Sequence, residues 1–288
     1  MIVIDMIDLP PTVGDIVICR PATKLTGGHF LLEEVTFIIP VYIESSDRLT
    51  NFKTVYRYLK ETLKTNIIIY EWNTKPVVNE LIGEDVTYIF EKNDGVCFHR
   101  TRCLNYMLNI VKTPVTVNYD VDIILEPDTY ILCRDAIMFD HDMIYPYEYG
   151  YFQNRVSYSG RDKLLNGYSL TDLIDADYIS KNVESWSGHC QFLNTNFYKK
   201  YGWENENFIS YGCEDFERFY RFSKFANKVG HLKGNYVYHL EHTRGDNSLM
   251  SNPYYDNNVK LWETLNKMSK DQLTEYYKSV NYISKYTT

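Results

Sequence analysis

Two aspartates that flank a single valine, Asp120 and Asp122, lie in an apolar run at residues 118–125. Side chains alternate faces along a strand, so both carboxylates point the same way while Val121 faces the core. Like charges on one side of a strand end repel each other unless a cation lies between them. Mg²⁺ and Mn²⁺ take one or two carboxylates and fill their other positions with phosphate oxygens and water. The pair therefore indicates a divalent metal site that holds phosphates, with a solvated turn as the alternative.

A second acidic pair, Glu214 and Asp215, follows the segment 208–213 and precedes apolar residues at helical spacing, Phe216 and Phe219 among them. This spacing places the pair in the first turn of a helix. The positive end of the helix dipole favours ionised carboxylates there, and a general base must be ionised to act. The pair is a candidate for the base, with first-turn acids that have no catalytic role as the alternative.

Two histidines, His239 and His242, close a predicted strand that begins at Tyr236, and the polar segment 243–248 follows them. Imidazole is a common ligand for divalent metals, and the carboxylate pair lacks a third ligand. Both histidines are therefore candidate ligands, with structural histidines as the alternative. Upstream, Gly188 lies in a small-residue turn before an apolar strand, and such a turn lets backbone approach a ligand closely.

Strands and helices that would position these groups are predicted in the first half of the chain. Continuous apolar runs of the kind found in buried strands occur at residues 35–41, 67–70, 86–90 and 115–119. Apolar residues at helical spacing predict helices around residues 49–63 and 101–111. This order is typical of an α/β fold with an open, mostly parallel central sheet and helices on both faces.

In such sheets ligands bind beyond the carboxyl ends of the strands, where Pro40, Glu71 and Asp120 fall. Neither a Gly-x-Gly-x-x-Gly dinucleotide motif nor a Gly-x-x-x-x-Gly-Lys-[Ser/Thr] phosphate loop occurs. A diphosphate would therefore have to be held by the metal and by side chains.

Composition limits the function classes. The net charge of -8 argues against a broad electrostatic grip on nucleic acid. The six cysteines show no Cys-x-x-Cys spacing, which indicates neither a zinc site nor a disulfide framework. No run approaches the roughly 20 apolar residues of a membrane span, and the first residues carry no basic leader. The sequence therefore predicts a cytoplasmic chain without a transmembrane segment.

The order of the motifs resembles that of GT-A glycosyltransferases, most closely the inverting family-2 group and the β1,4-galactosyltransferase type. The motifs run through residues 38–41, 98–105, 120–122 and 212–215 to His239. The resemblance implies a GT-A catalytic domain at residues 35–258, with a nucleotide-sugar half at 35–125 and an acceptor half at 126–258. An N-terminal appendage of short strands and turns at 1–34 and C-terminal helices at 259–288 would flank it.

The resemblance also implies roles for individual residues. Asp120 and Asp122 would bind the diphosphate of a nucleotide sugar through Mn²⁺ or Mg²⁺, and His239, or second to it His242, would complete the metal site. Asp215 would deprotonate the acceptor hydroxyl, and Glu214 would hold acceptor or sugar hydroxyls. Residues expected at the nucleotide are Pro40, Val41, Arg48, Glu71, Phe98, Arg100 and Asp120. Residues expected with Glu214 at the acceptor and the sugar are Trp186, Gly188 and Tyr211.

The expected function is metal-dependent, inverting transfer of a sugar from a nucleoside-diphosphate sugar, preferably a uridine diphosphate sugar, to a hydroxyl acceptor. A glycan or lipid-linked sugar is the preferred acceptor, and a modified DNA base is the alternative. A nucleotidyltransferase would carry a glycine-rich phosphate loop, and a non-catalytic sugar-binding module would have lost the base or a metal ligand. The segment 208–213 departs from the tryptophan- and glycine-rich stretch of the galactosyltransferases, which leaves the sugar and acceptor open.

Overall fold

The structure, a computed structural model, describes residues 29–93 and 97–287. Most of the segment predicted as an N-terminal appendage, residues 1–28, lies outside the described residues. The first strand begins at Phe30, five residues before the predicted start at Val35. Residues 30–34 therefore belong to a strand of the central sheet.

Strands in the described residues form two sheets. They are β1 Phe30–Val41, β2 Leu63–Asn73, β3 Thr87–Lys92, β4 Val115–Tyr119, β5 Ile123–Leu125, β6 Met143–Tyr145, β7 Gly150–Val156, β8 Tyr178–Ser185, β9 Cys190–Asn194, β10 Val229–His231 and β11 Val237–Leu240. The central sheet has the order β10-β6-β9-β4-β1-β2-β3, and the smaller sheet has the order β5-β11-β7-β8.

The central sheet is mostly parallel, as predicted. β4 lies at its centre and pairs in parallel with β1, which pairs in parallel with β2, while β9 runs antiparallel between β4 and β6. Every residue of β4 is buried, so both faces of the sheet are covered at this position. Strands buried on both faces read as continuous apolar runs, which is why the sequence pattern identified them.

Helices connect and cover the strands. They are α1 Ser46–Thr62, α2 Arg100–Ile110, α3 Pro127–Phe139, α4 Tyr158–Leu165, α5 Thr195–Lys200, α6 Glu214–Phe225, α7 Tyr255–Leu265, α8 Lys270–Ser279 and α9 Ser284–Thr287. The Ser45 side chain caps α1 by accepting from the backbone N–H of Arg48, and the helix buries Phe52, Val55 and Leu59. Among the helices of the described ranges, none has both the length and the apolar content that a bilayer crossing requires.

The run at residues 118–125 is not one strand, which corrects the prediction for the two aspartates. β4 ends at Tyr119 in the central sheet and β5 begins at Ile123 in the smaller sheet, so Asp120 and Asp122 lie in the turn between the sheets. The backbone N–H of Asp120 donates to the carbonyl of His189, 3.1 Å away, and the carbonyl of Asp122 accepts from Leu240, 2.7 Å away. These tertiary bonds divert the chain from the strand that alternation predicts.

The C-terminal helices pack against α6, beside the predicted acidic pair. Ser269 and Gln272 form a capping box at the start of α8. A separate apolar cluster joins these helices to the segment before α6 and contains Phe208, Trp262, Leu265, Leu273 and Tyr277. The hydroxyl of Tyr277 donates to Glu217 on α6, 2.5 Å away. The helical extension therefore supports the element that carries Asp215.

Gly202 tests how tightly this extension is held. Its φ is +107°, and a Cβ there would lie 2.5 Å from the ring of Tyr277. Gly202→Ala should lower the free energy of unfolding by about 3 kcal/mol, because backbone strain and displacement of a buried ring add. Gly234→Ala is the matched control, since its φ is +74° but nothing lies within 4 Å of its Cβ position. Gly234→Ala should lower the free energy of unfolding, measured by urea denaturation, by only about 1 kcal/mol. Equal losses in the two variants would contradict tight packing of Tyr277 against Gly202.

Candidate active site

A cavity of about 250 Å³ opens between the two sheets, beyond the carboxyl ends of β1 and β4. It gathers residues from distant parts of the chain that the sequence had assigned to one site. The predicted residues that line it are Pro40, Arg48, Phe98, Arg100, Asp120, Asp122, Gly188, Tyr211, Glu214, Asp215, His239 and His242. This position agrees with the rule that ligands bind at the carboxyl ends of strands in α/β sheets.

Three cavity residues, Asp122, His239 and His242, bring one ligand atom each to within 4.8 Å of one another. Asp122 Oδ2 lies 3.1 Å from His242 Nε2 and 3.9 Å from His239 Nε2. Burial acts to raise the pKa of Asp122, but the facing His239, the hydrogen bond from His242 and the Arg48 guanidinium together lower it. Asp122 is therefore an ionised carboxylate that two imidazoles face.

Both histidines suit metal coordination. His242 Nδ1 lies 2.9 Å from the carbonyl of Thr243, a contact that fixes the ring so that Nε2 faces Asp122. Burial lowers the pKa of His239 to about 3, which keeps this imidazole neutral. Its buried Nδ1 has no hydrogen-bond partner among the described residues. One carboxylate and two imidazoles form a donor set that fits a divalent cation such as Mn²⁺.

Asp120 has a different partner from Asp122. Its Oδ1 accepts from Arg100, at 2.7 Å from Nη2 and 3.2 Å from Nε, and Asp120 is not one of the three clustered ligands. Burial raises the pKa of Asp120, and Asp122 and Asp215 add to this effect while Arg100 opposes it. Because the two aspartates lie in a turn and not on one strand, their carboxylates meet different groups.

A loop after β11 lies over the cavity and is tied to it by side chains that the sequence analysis did not single out. Arg48 donates to Asp122 at 3.0 Å and to the hydroxyl of Ser248 at 2.9 Å. Asn247 Oδ1 accepts from the backbone of Phe98 and from Ser210 Oγ, both at 2.9 Å. The loop after β11 is therefore docked on residues that line the cavity.

Asp215 lies in the first turn of α6, as predicted, with its two oxygens in different surroundings. Oδ1 lies 2.6 Å from Arg218 Nη1 and 3.5 Å from Arg100 Nη1. Oδ2 faces Gly188, where an added Cβ would come within 3.4 Å of it. Burial would raise the pKa of Asp215, but the two guanidiniums lower it. Asp215 is thus ionised, with Oδ2 directed towards the cavity.

Arg218 connects Asp215 to a buried network that the sequence analysis missed. Its guanidinium is fully buried and donates to both oxygens of Glu204, each at 2.6 Å, and to Gln191 Oε1 at 3.1 Å. Tyr198 also donates to Glu204. The spacing of three residues between Asp215 and Arg218 on one helix was the available signal. The network holds Asp215 Oδ1 in place.

Glu214 differs from its neighbour in both partner and ionisation. Its Oε2 accepts from the backbone N–H of Gly212 at 3.0 Å. Burial, reinforced by the charge of Asp215, raises the pKa of Glu214 to about 7. Of the two acids, Asp215 is therefore the one held ionised across the neutral range.

Three predicted site residues do not line the cavity. Glu71 is fully buried and accepts from the backbone of Val77 at 2.8 Å and from the hydroxyl of Tyr88 at 2.7 Å. Val41 is buried in β1, and Trp186 packs edge-on against Tyr149 with ring centroids 4.6 Å apart. Glu71 organises the turn after β2 in this structure, and its strand-end position alone did not reveal that.

Comparison with known proteins finds likeness in structure and not in sequence. No sequence profile of a known protein family matches the chain, and no curated protein matches it. A solved structure of GalNAc-T7 with UDP, GalNAc and Mn²⁺ is 12% identical over 85% of this chain and 50% of that chain, with a TM-score of 0.53. The fold is that of the GT-A glycosyltransferases.

Two further structures of lower similarity were found. Drosophila β1,4-galactosyltransferase 7 with xylobiose is 13% identical over 70% of this chain and 66% of that chain, with a TM-score of 0.39. S. aureus TarS, residues 1–349, is 11% identical over 85% of this chain and 69% of that chain, with a TM-score of 0.48. The chain spans 50% to 69% of the length of these neighbours. The predicted GT-A fold is confirmed, and the site residues and the activity stay predictions.

The metal cluster is tested by removing one ligand at a time. Asp122→Asn, His239→Ala and His242→Ala should each weaken Mn²⁺ binding to untagged protein by about 100-fold or more, since each removes one of three donors. Isothermal titration calorimetry measures the affinity. His29→Ala, which changes an exposed histidine outside the cluster, is the control. The ranking of His239 above His242 stays a prediction, and unchanged affinity in all three variants would rule out this metal site.

Proposed function

We propose that this chain is a metal-dependent, inverting glycosyltransferase that moves a sugar from a uridine diphosphate sugar to a hydroxyl acceptor. One observation carries the proposal: a metal-type cluster and an ionised carboxylate with a free oxygen face the same cavity of a GT-A fold. A screen of nucleotide sugars, with nucleoside diphosphate release measured with and without Mn²⁺, tests it. Release from none of the sugars in the presence of Mn²⁺ would overturn it.

The donor would lie at the cluster side of the cavity. Asp122, His239 and His242 would hold Mn²⁺ or Mg²⁺, which when bound offsets negative charge on the departing diphosphate as a Lewis acid. Arg48 and Arg100 line the same side and present guanidinium groups suited to phosphate oxygens. The uridine donor is favoured by the fold neighbour that contains UDP, GalNAc and Mn²⁺.

An aromatic wall lines the donor side beyond the phosphates. Phe98 and Tyr42 stack with ring centroids 5.6 Å apart and an interplanar angle of 15°. Trp72 packs against Phe98 from another direction, at 6.2 Å. Phe98 and Tyr42 both line the cavity, together with Pro40 at the end of β1. A flat, apolar wall of this kind suits the face of a nucleotide base.

Asp215 would act as the general base through Oδ2. As the acceptor oxygen forms its bond to the anomeric carbon, the bond from that carbon to the diphosphate oxygen breaks, and the acceptor proton passes to Oδ2. Arg218 and Arg100 hold Oδ1, which leaves Oδ2 as the proton-accepting atom. Gly188 leaves room beside Oδ2 for the acceptor hydroxyl, because a side chain there would occupy that space. Attack from the face opposite the leaving group inverts the anomeric configuration.

Two further groups would support the reaction without taking the proton. Successive residues of a helix point about 100° apart, so Glu214 and Asp215 cannot address one acceptor oxygen equally. Glu214 would instead hold acceptor or sugar hydroxyls. The loop that carries Asn247 and Ser248 would cover the donor and exclude water that would otherwise hydrolyse it.

A glycan or lipid-linked sugar is the preferred acceptor. The net charge of -8 disfavours a DNA acceptor, which would have to be held through its phosphates. A non-catalytic binding module is disfavoured because all three clustered ligands and the ionised Asp215 are retained around the cavity. A nucleotidyltransferase is disfavoured because the sequence has no glycine-rich phosphate loop.

The role of Asp215 is tested by a substitution that keeps its shape. Asp215→Asn retains an oxygen for Arg218 but cannot accept the proton, so kcat should fall by about 100-fold or more while donor affinity persists. Steady-state kinetics and calorimetry with the donor measure the two quantities. Asp256→Asn, the same change in the first turn of α7, is the matched control and should leave kcat unaltered. Undiminished turnover of Asp215→Asn would remove Asp215 from this role.

The stereochemical outcome is an independent test. A base on the face opposite the leaving group requires a product whose anomeric configuration is inverted relative to the donor. Proton NMR of the product, recorded early in the reaction, gives the configuration from the coupling of the anomeric proton. A product with the donor's configuration would exclude the single-displacement mechanism and leave the general assignment as a glycosyltransferase standing.

A further inference from the structure

His189 occupies a backbone position that favours glycine. Its φ is +68°, in the left-handed region that few residues with a side chain adopt. Tertiary hydrogen bonds impose this conformation. The carbonyl of His189 accepts from the backbone of Asp120 at 3.1 Å, and the neighbouring carbonyl of Gly188 accepts from the hydroxyl of Tyr147 at 2.7 Å. Strained residues that the surrounding structure holds in place cluster at functional sites.

The imidazole of His189 lies near both the metal-type cluster and Asp215. It lines the cavity, and its ring centroid is 5.7 Å from that of His239. Asp215 Oδ2 lies beside Gly188, the residue before His189. Burial lowers the pKa of His189, while Asp120, Asp122 and Asp215 act in the opposite direction. The ring therefore adjoins the part of the cavity where the proposed function places the transferred sugar.

Hydrogen bonding sets which nitrogen of His189 is available to a ligand. Nε2 lies 3.2 Å from Gln153 Oε1, an acceptor, so Nε2 carries the proton. Gln153 belongs to β7 and is itself buried, which holds the ring in one orientation. Nδ1 is then an acceptor, and no side chain or backbone group of the described ranges hydrogen-bonds it. A sugar hydroxyl is a donor of matching chemistry.

We propose that His189 is the residue that recognises the transferred sugar, with Nδ1 accepting a hydrogen bond from one of its hydroxyl groups. The inference rests on the proposed function and adds a specificity determinant to it. The ligand class is the hexosyl or pentosyl group of a nucleotide sugar with a free hydroxyl at that position. Glycine would adopt this backbone conformation more easily, so the imidazole stands here at a conformational cost that contact with the ligand would offset.

The test uses His189→Gly with the preferred donor and its monodeoxy analogues. The wild-type enzyme should turn over one deoxy analogue at least about tenfold more slowly in kcat/KM, because a polar group in the site loses its partner. In His189→Gly this penalty should disappear, and turnover of the parent donor should fall to the level of that analogue. Glycine adopts the observed φ freely, so the melting temperature should not drop.

Controls separate recognition from a structural role. Mn²⁺ and UDP affinities should be unchanged in His189→Gly, because the ring contacts the sugar and not the diphosphate. His189→Asn tolerates the left-handed backbone and keeps an acceptor oxygen, so it should restore part of the discrimination. If the wild-type chain neither binds nor turns over any nucleotide sugar, the proposed function is wrong and so is this inference. If the wild-type chain is active and His189→Gly shows the same deoxy penalties as the wild type, only this inference is wrong.

Discussion

The site depends on the cost of burying like charges together. Asp120, Asp122 and Asp215 share one cavity, and carboxylates that are partly or fully removed from water are stable only when each is paired. Arg100 holds Asp120, Arg48 holds Asp122, and Arg218 holds Asp215. At Asp215 the guanidiniums engage Oδ1 and leave Oδ2 facing the cavity. The arginines therefore make the acids compatible with the fold and leave oxygen available for chemistry.

The same cavity concentrates backbone strain. His189, Ser210 and Cys213 all have positive φ, between 61° and 68°, and lie in the two segments that enter the site. Tertiary hydrogen bonds anchor these segments. Asn252 donates to Ser210 Oγ at 2.8 Å, and the backbone of Asp120 donates to the carbonyl of His189 at 3.1 Å. Strain of this kind persists only where the surrounding structure over-determines it. The core strands around β4 supply that rigidity.

Strands and helices were more predictable from the sequence than tertiary contacts were. The strands at β1, β2, β3 and β4 and the helix start at Glu214 follow from apolar runs and helical spacing, because burial selects side chains locally. The capping box at Ser269 is likewise a short-range signal. The turn at Asp120 was mispredicted as strand, since the hydrogen bonds that divert it come from His189 and Leu240, far along the chain. Glu71 was mispredicted for the same reason. Its position at a strand end did not reveal that its carboxylate accepts a hydrogen bond from the turn that follows.

By itself, the sequence determined the α/β class, the chain order of the acidic and histidine motifs, and the helix position of Asp215. Those features depend on residue type and spacing within one element. Only the tertiary structure decided that Asp122 and not Asp120 meets both histidines, that Arg218 and Glu204 form a buried network beside Asp215, and that His189 lines the cavity. These contacts join residues that are far apart in the sequence. The order of the strands and the geometry of the turns bring them together only when the chain has folded.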